Sequence, residues 1–434
     1  MYTVAVGFLC VLCASAVNKC QHTASLGETS FPLTGSPDEA RLRLLLFQKE
    51  GTVRRKGDQS LLRDHNRRLI VGLLRSHGPV SRTALAQLTG LSPSALTRSA
   101  RYLLAEGIAR ETGKTQSNGG RRAVLLAFNP TYAYGIGIKV ERERILAARV
   151  DLAGRIAGRW EAPLPAPPTP DQMFSVVRNA VRRLARGRIL GVGVAISGFV
   201  DAHGVDLYSP ILGWHNVAVG GPLADRLGLS VRVENDVNAL ALAEDLYGAG
   251  LRFQDFVCVT VGEGVGAGVV IAGELYRGAF GGAGEIGHMT IALGGPRCRC
   301  GENGCLEALG SDQALRAEAE GLGFGDVAAM AAAARAGDPR AQDVFCRVGR
   351  VLGIGLKNVV NLLNPEAIVL GGERMADADL FLPALEEEVR RRAFPETARE
   401  LTIVPAELGP DGFLIGAATL VSTEAFRSPL EQTG

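Results

Sequence analysis

The sequence predicts a winged helix-turn-helix module over residues 59–128 followed by a two-lobed α/β domain over 129–425, with 1–58 as a largely disordered extension. Three observations lead there. Residues 59–128 read as three short amphipathic helices and two short strands, separated by Gly, Pro and Ser turns. After Asn129-Pro130 the texture changes to alternating strands and helices, which suits two lobes around a ligand cleft. The charge divides at the same place: 59–128 holds 11 Lys and Arg against 3 Asp and Glu, whereas 129–434 holds 29 against 37. A basic module on an acidic body points to a polyanionic partner, the alternative being a merely solvated basic face.

The length of 434 residues is enough for two or three domains, and 47% hydrophobic with 21% charged residues is the composition of an ordinary soluble globular protein. Residues 1–58 show no sustained amphipathic period apart from Leu42–Phe47. The first 17 residues are uncharged, and Ala14-Ser15-Ala16 looks like a signal-peptidase site. A secretory signal normally starts with Lys or Arg, which is missing here, and the apolar run is too short to span a bilayer. The segment is therefore read as an extension or as an upstream start, with the protein in the cytoplasm and no membrane partner.

Within the module, Leu69, Ile70, Leu73 and Leu74 share one helical face, and His77-Gly78-Pro79 ends that helix. Ser81 caps a second helix through Leu88, and Thr89-Gly90-Leu91 turns the chain. Ser92-Pro93 opens a third helix to about Glu106, with a cap followed by proline at the first helical position. Strands near Ile108–Glu111 and Ala123–Phe128 complete the wing. Opposite its apolar face the third helix presents Ser94, Thr97, Arg98 and Arg101, the side that enters the major groove in a helix-turn-helix. Arg121 and Arg122 follow a glycine pair in the wing loop, suited to a narrow minor groove. Operator DNA is the expected partner, read by a homodimer because one winged helix covers one half-site. A winged helix that binds protein is the alternative.

Beyond the module, strands are expected at Ala133–Val140, Arg144–Asp151, Arg155–Trp160 and Ile189–Ile196, and a helix at Asp171–Ala185. His288, Cys298, Cys300 and Cys305 offer three thiols and one imidazole among turn-forming glycines, the ligand set of tetrahedral zinc. Four protein ligands make a closed, structural site; free thiols in a loop are the alternative.

Asn235-Asp236, the glycine run Gly262–Gly268, Glu285-Ile286-Gly287-His288 and the cysteine cluster ending at Glu307 together resemble the ROK family of bacterial sugar kinases and sugar-responsive repressors. The preceding reader and its Gly-Gly-Arg-Arg wing resemble the NagC/XylR/Mlc-type repressor branch, and the likeness covers about residues 60–422. It implies a sugar kinase-like effector domain of the actin-like ATPase, ribonuclease H-like fold. It also implies a sugar or sugar phosphate effector held by Asn235, Asp236, Glu285, His288 and Glu307, with Gly198 letting the backbone approach the ligand. Alternatives stay open: Asn235 and Asp236 as helix caps, Glu285 as a loop carboxylate, His288 as a metal ligand alone.

The family's kinases open this domain with an Asp-x-Gly-Gly-Thr phosphate loop. The matching stretch here, Gly135–Glu141, puts Gly137 at the Asp, Lys139 and Val140 at the glycines and Glu141 at the Thr. Glu263 stands in the second phosphate loop, where an acid repels phosphate, and Gly371-Gly372 keeps the adenosine-side turn. Asp236 occupies the kinases' general-base position, but a base without a phosphoryl donor transfers nothing. The expected function is a sugar-responsive transcriptional regulator, a repressor, with no catalytic residue. The competing readings are a sugar kinase carrying a DNA reader and a metal-stabilised scaffold.

Overall fold

The computed structural model describes residues 59–114 and 122–426; the 1–58 extension and Arg121 lie outside the described residues. The basic module begins with α1 (Gln59–His77), which turns its Ile70, Leu73 and Leu74 inward. Strand β1 (Val80–Ser81) and α2 (Arg82–Thr89) follow. The Ser81 side chain accepts from the Ala84 N–H, a cap worth about 1 kcal/mol. Helix α3 (Pro93–Ala105) is capped in the same way by Ser92, which accepts from the Ala95 N–H. Strands β2 (Ala109–Lys114) and β3 (Val124–Phe128) form the hairpin. β1 adds a third strand, pairing Val80 with Leu126 and Ser81 with Leu125. Two residues are too few for a period-two pattern, so sequence reading passed over it.

The α/β body holds two five-stranded sheets of one design. In the first, β4 (Tyr134–Val140), β5 (Arg144–Asp151) and β6 (Ile156–Pro163) form an antiparallel meander. Helix α4 (Pro170–Leu184) leads to β7 (Ile189–Ile196), which lies parallel to β4. A small sheet of β8 (Phe199–Val200), β9 (Val205–Ser209) and β10 (Trp214–Ala218) comes next. Helix α5 (Gly220–Leu227) then leads to β11 (Val231–Asn235), parallel to β7.

Helix α6 (Asp236–Tyr247) crosses to the second sheet. There β12 (Phe256–Val261), β13 (Val265–Ile271) and β14 (Glu274–Tyr276) repeat the meander. The cysteine loop and α7 (Leu306–Gly310), α8 (Asp312–Gly321), α9 (Val327–Arg335) and α10 (Pro339–Leu363) come before β15 (Ala367–Gly371). Helices α11 (Ala378–Arg392) and α12 (Pro395–Ala398) come before β16 (Thr402–Pro405). Both sheets run third-second-first-fourth-fifth in chain order, the two-lobed, ribonuclease H-like arrangement expected.

The C-terminal helix α13 (Gly412–Phe426) returns to the first sheet and packs beside α6. A Cβ on Gly137 would come within 2.0 Å of the Leu414 carbonyl oxygen, and one on Gly193 within 1.7 Å of Ala417's. Glycines in β4 and β7 therefore let α13 lie against the strands. Both α6 and α13 are covered on opposite sides, which is why neither sequence shows a polar stripe.

Candidate functional site

The β11–α6 junction carries Asn235 and Asp236. Asn235 is the N-cap of α6: its Oδ1 accepts from Val237 N (2.8 Å) and Asn238 N (3.1 Å), and its Nδ2 donates to the Gly198 carbonyl (3.0 Å). The capping role is thus real, and one amide hydrogen is left for a ligand. Asp236, half-buried, accepts from Val237 N at 3.0 Å. Desolvation raises its pKa, the nearby Lys139 ammonium works against this, and Glu373 adds to it.

Two residues absent from the sequence reading hold the junction in place. The buried Glu234 accepts from Asn235 N at 3.1 Å and from Asn238 Nδ2 at 3.0 Å. Its other oxygen meets Arg277 Nε, from the second lobe, at 2.6 Å. Gly198 has a structural explanation of its own. A side chain there would meet Tyr208 O and Ser209 Cβ at 2.9 Å and Asp206 Oδ1 at 3.0 Å, so β9 packs directly against this glycine.

A second group of site residues comes from the segment after β14. Glu285 precedes a short 3-10 helix, Ile286–His288, and its pKa is raised by desolvation; His288 opposes this, while Glu307 and Asp236 add to it. The charges of Asp236 and Glu307 thus reach Glu285, although the three lie on separate stretches of chain. Glu307, in the first turn of α7, accepts from Val265 N at 3.2 Å and steadies the β12–β13 turn.

His288 faces two ways. Its Nε2 lies 3.9 Å from Glu285 Oε2, and its Nδ1 lies 3.6 Å from Cys298 Sγ. The ligand atoms of His288, Cys298, Cys300 and Cys305 all fall within 4.8 Å of one another. A tetrahedron with metal–sulfur bonds of about 2.3 Å and a metal–nitrogen bond of about 2.05 Å has S···S edges of about 3.8 Å and N···S edges of about 3.6 Å. The Cys300–Cys305 sulfurs are 3.7 Å apart and the Cys298–His288 pair 3.6 Å apart, so the donor set fits such an ion. Gly304 makes the loop possible: at φ +72° it tucks against Ala292, where a Cβ would sit 1.7 Å from the carbonyl oxygen. Burial pushes the Cys305 thiol up to about 12, so a metal would have to displace its proton.

The residues at the phosphate-loop positions lie in the strands expected for them. Gly137 to Val140 belong to strand β4, paired on both sides, and the β4–β5 turn is Glu141, Arg142 and Glu143. The turn falls where the strands expected at Ala133–Val140 and Arg144–Asp151 leave it, and it has two acids and no glycine. In the second turn, Glu263 is bound by Arg299 of the cysteine loop (2.8 Å) and by Arg316 (3.1 Å). Desolvation would raise its pKa, but the two guanidiniums outweigh that and hold it low. Gly372 takes φ +94° because a side chain there would strike the Val261 backbone.

On the basic module, Ser94, Thr97, Arg98 and Arg101 are all exposed and, with Pro93, line one shallow depression along α3. Thr97 Oγ1 donates to the Pro93 carbonyl at 2.7 Å, and Ser94 Oγ lies 3.2 Å from Ser92 Oγ. Arg98 and Arg101 have no carboxylate partner among the described residues, in contrast to Arg82, which meets Glu111 at 2.8 Å. Arg122 is exposed just ahead of β3.

Comparison with known proteins agrees with this architecture. The chain is 30% identical over 374 residues to the xylose repressor of Bacillus spizizenii, covering 84% of this chain and 96% of that one. Its fold matches the crystal structure of a ROK family transcriptional regulator, a homologue of the E. coli Mlc protein, with a TM-score of 0.73 and 28% identity over 86% of this chain and 98% of that one. It also matches a ROK family glucokinase from Streptomyces griseus solved with glucose and AMPPNP, with a TM-score of 0.61 and 32% identity, covering 67% of this chain and 99% of that one. The kinase match spans a body-sized share of the chain and the regulator match a larger one. The ROK family model itself aligns with residues 135–424, the body that carries both sheets, the cleft and the cysteine loop; the chain belongs to the ROK family.

Proposed function

We propose that this chain is a sugar-responsive transcriptional repressor in which residues 59–128 read operator DNA and residues 129–425 bind the effector. The observation that carries the reading is the pairing, on one chain, of an α3 face with two uncommitted arginines and a group of carboxylates, Glu285 with Asp236 and Glu307, whose charges act on one another. Sugar hydroxyls both donate and accept; carboxylates take their protons in charge-assisted bonds, and the free Asn235 amide hydrogen serves a sugar oxygen. His288 Nε2 lies beside Glu285 of that group. His288, Cys298, Cys300 and Cys305 would hold zinc, which in a four-ligand site supplies folding energy to the loop.

Lys139, Val140 and Glu141 stand where the kinases carry Gly-Gly-Thr, so the backbone cannot cradle a nucleoside triphosphate there and the domain acts as a receptor. The protein works as a cytoplasmic homodimer, each winged helix on one half-site. No helix among the described residues is long and apolar enough to cross a membrane. Sugar closing the two lobes alters operator affinity if the sugar prefers one arrangement of the readers. A coupling of about 1–3 kcal/mol gives roughly 5- to 150-fold.

The test is operator affinity with and without xylose, glucose or N-acetylglucosamine, for wild type and Glu285→Ala. The variant should keep DNA binding and metal and lose the sugar response. An equal response in both proteins removes Glu285 from the mechanism. ATP-dependent phosphorylation of any of these sugars by the wild type would establish the kinase reading instead.

A further inference from the structure

Two residues with no role in the sugar reading meet across the cleft. Lys139, at the end of β4 in the first lobe, has an almost buried side chain, 9% exposed. Its Nζ lies 3.4 Å from Glu373 Oε1 in the second lobe and 3.6 Å from Glu141 Oε1. It also stands 3.6 Å from the centre of the Phe413 ring, a cation–π contact that fixes it from below. The second Glu373 oxygen fills the hollow over the glycine turn between β12 and β13: a Cβ on Gly262 would lie 1.9 Å from Oε2. Both charges act on the Asp236 carboxyl.

In a kinase of this fold the base position takes the proton of the hydroxyl that receives the phosphoryl group, and the glycine turn approaches that phosphoryl group. A sugar already phosphorylated on that hydroxyl would place its phosphate between Asp236 and Gly262. In this chain Glu373 has that space; Lys139 is shared among Glu373, Glu141 and Asp236, and Glu141 is also held by Arg144 at 2.5 Å. Three acids, Asp236, Glu141 and Glu373, around two cations, Lys139 and Arg144, leave an excess of one negative charge. A phosphate brings a further charge of about −1.5 to −2.

We propose that Lys139 and Glu373 form an inter-lobe clasp that fills the phosphoryl position, so that the cleft admits an uncharged sugar and rejects its 6-phosphate. The inference rests on the sugar-receptor reading above and narrows its ligand class. Glu373 is the specificity residue: it acts on the ligand by excluding phosphate and by occupying Lys139.

The test is isothermal titration of the zinc-loaded full chain with glucose, glucose 6-phosphate, N-acetylglucosamine and N-acetylglucosamine 6-phosphate. For wild type each phosphate should bind at least roughly 30-fold more weakly than its parent sugar, a like-charge penalty. Glu373→Gln should cut that ratio at least tenfold by freeing Lys139 and removing a charge. In the double variant Glu373→Gln/Lys139→Met the phosphate should lose that gain. Circular dichroism and metal content confirm folding of each variant, and Glu373→Ala serves if Glu373→Gln is unstable. Preferential or equal binding of a 6-phosphate by wild type overturns the proposal and leaves the receptor reading standing. So does a ratio that Glu373→Gln leaves unchanged. Failure of every sugar and every phosphate to bind the wild type overturns both.

Discussion

Asp206 offers a test in which the pH dependence can be worked out in advance. Its side chain on β9 is fully buried beside Gly198, and neither carboxylate oxygen completes a hydrogen bond with a described residue. Burial raises its pKa from 3.8 to about 7, with the Tyr208 backbone N–H pulling weakly the other way. A carboxyl whose folded pKa is raised gives up stability as pH rises. Above about pH 4 the unfolded chain ionises freely while the folded one resists, and the penalty grows until the folded carboxyl itself titrates near 7. Each unit is worth about 1.4 kcal/mol, so the full shift amounts to roughly 4 kcal/mol, and the stretch from pH 5.5 to 7 to about 2 kcal/mol.

Asp206→Asn keeps the shape and abolishes the titration. The variant should therefore gain on wild type by about 2 kcal/mol between pH 5.5 and pH 8, a widening of roughly 4 °C in the difference between their melting temperatures. The assay is paired thermal unfolding of the full chain with zinc present at both pH values. Titration of the metal ligands is common to both proteins and cancels in the difference. A melting-temperature gap that stays constant within 1 °C, or that narrows as pH rises, would refute the assignment of a destabilising buried carboxylate.

Three other perturbations have definite expected outcomes. Cys300→Ser should lower metal content from one zinc per chain toward zero by elemental analysis, since three ligands hold a structural ion far less tightly than four. Arg98→Ala should weaken operator binding by about 1–3 kcal/mol, roughly 5- to 150-fold, in a titration at fixed salt, whereas unchanged binding would show that the α3 face is misassigned. Gly137→Ala should lower thermal stability by about 1–3 kcal/mol or more because its methyl meets the α13 backbone, while Gly221→Ala, with open space around it, should not.

How much could be read without coordinates depended on how local each cause is. Ser81 and Ser92 announce their helices because a cap is settled within three residues, and both caps formed as expected. The cysteine cluster was legible for the same reason: four ligands fall within 18 residues, and their chemistry names the geometry. Asn235 illustrates a limit. Its sequence supported both capping and ligand binding, and the structure uses three of its four hydrogen-bonding positions for the cap and the Gly198 carbonyl, with one amide hydrogen to spare.

Causes that lie far apart in the chain were harder to read. Gly135 and Gly137 stand in the stretch that matches the kinases' phosphate loop, but they serve a helix nearly 280 positions further along. A glycine in sequence records only that something comes close; it does not say whether that is a phosphate or a carbonyl of the same chain. The Lys139–Glu373 contact is a harder case, because its partners are 234 residues apart and each looks unremarkable alone. A lysine at the end of an apolar strand conflicts with its surroundings, and such a residue survives burial only with a partner. The useful sequence signal was therefore the conflict itself: Lys139 in a buried strand required an acid from elsewhere, and only the topology, which sets the end of β4 opposite the turn after β15, could say which acid it was.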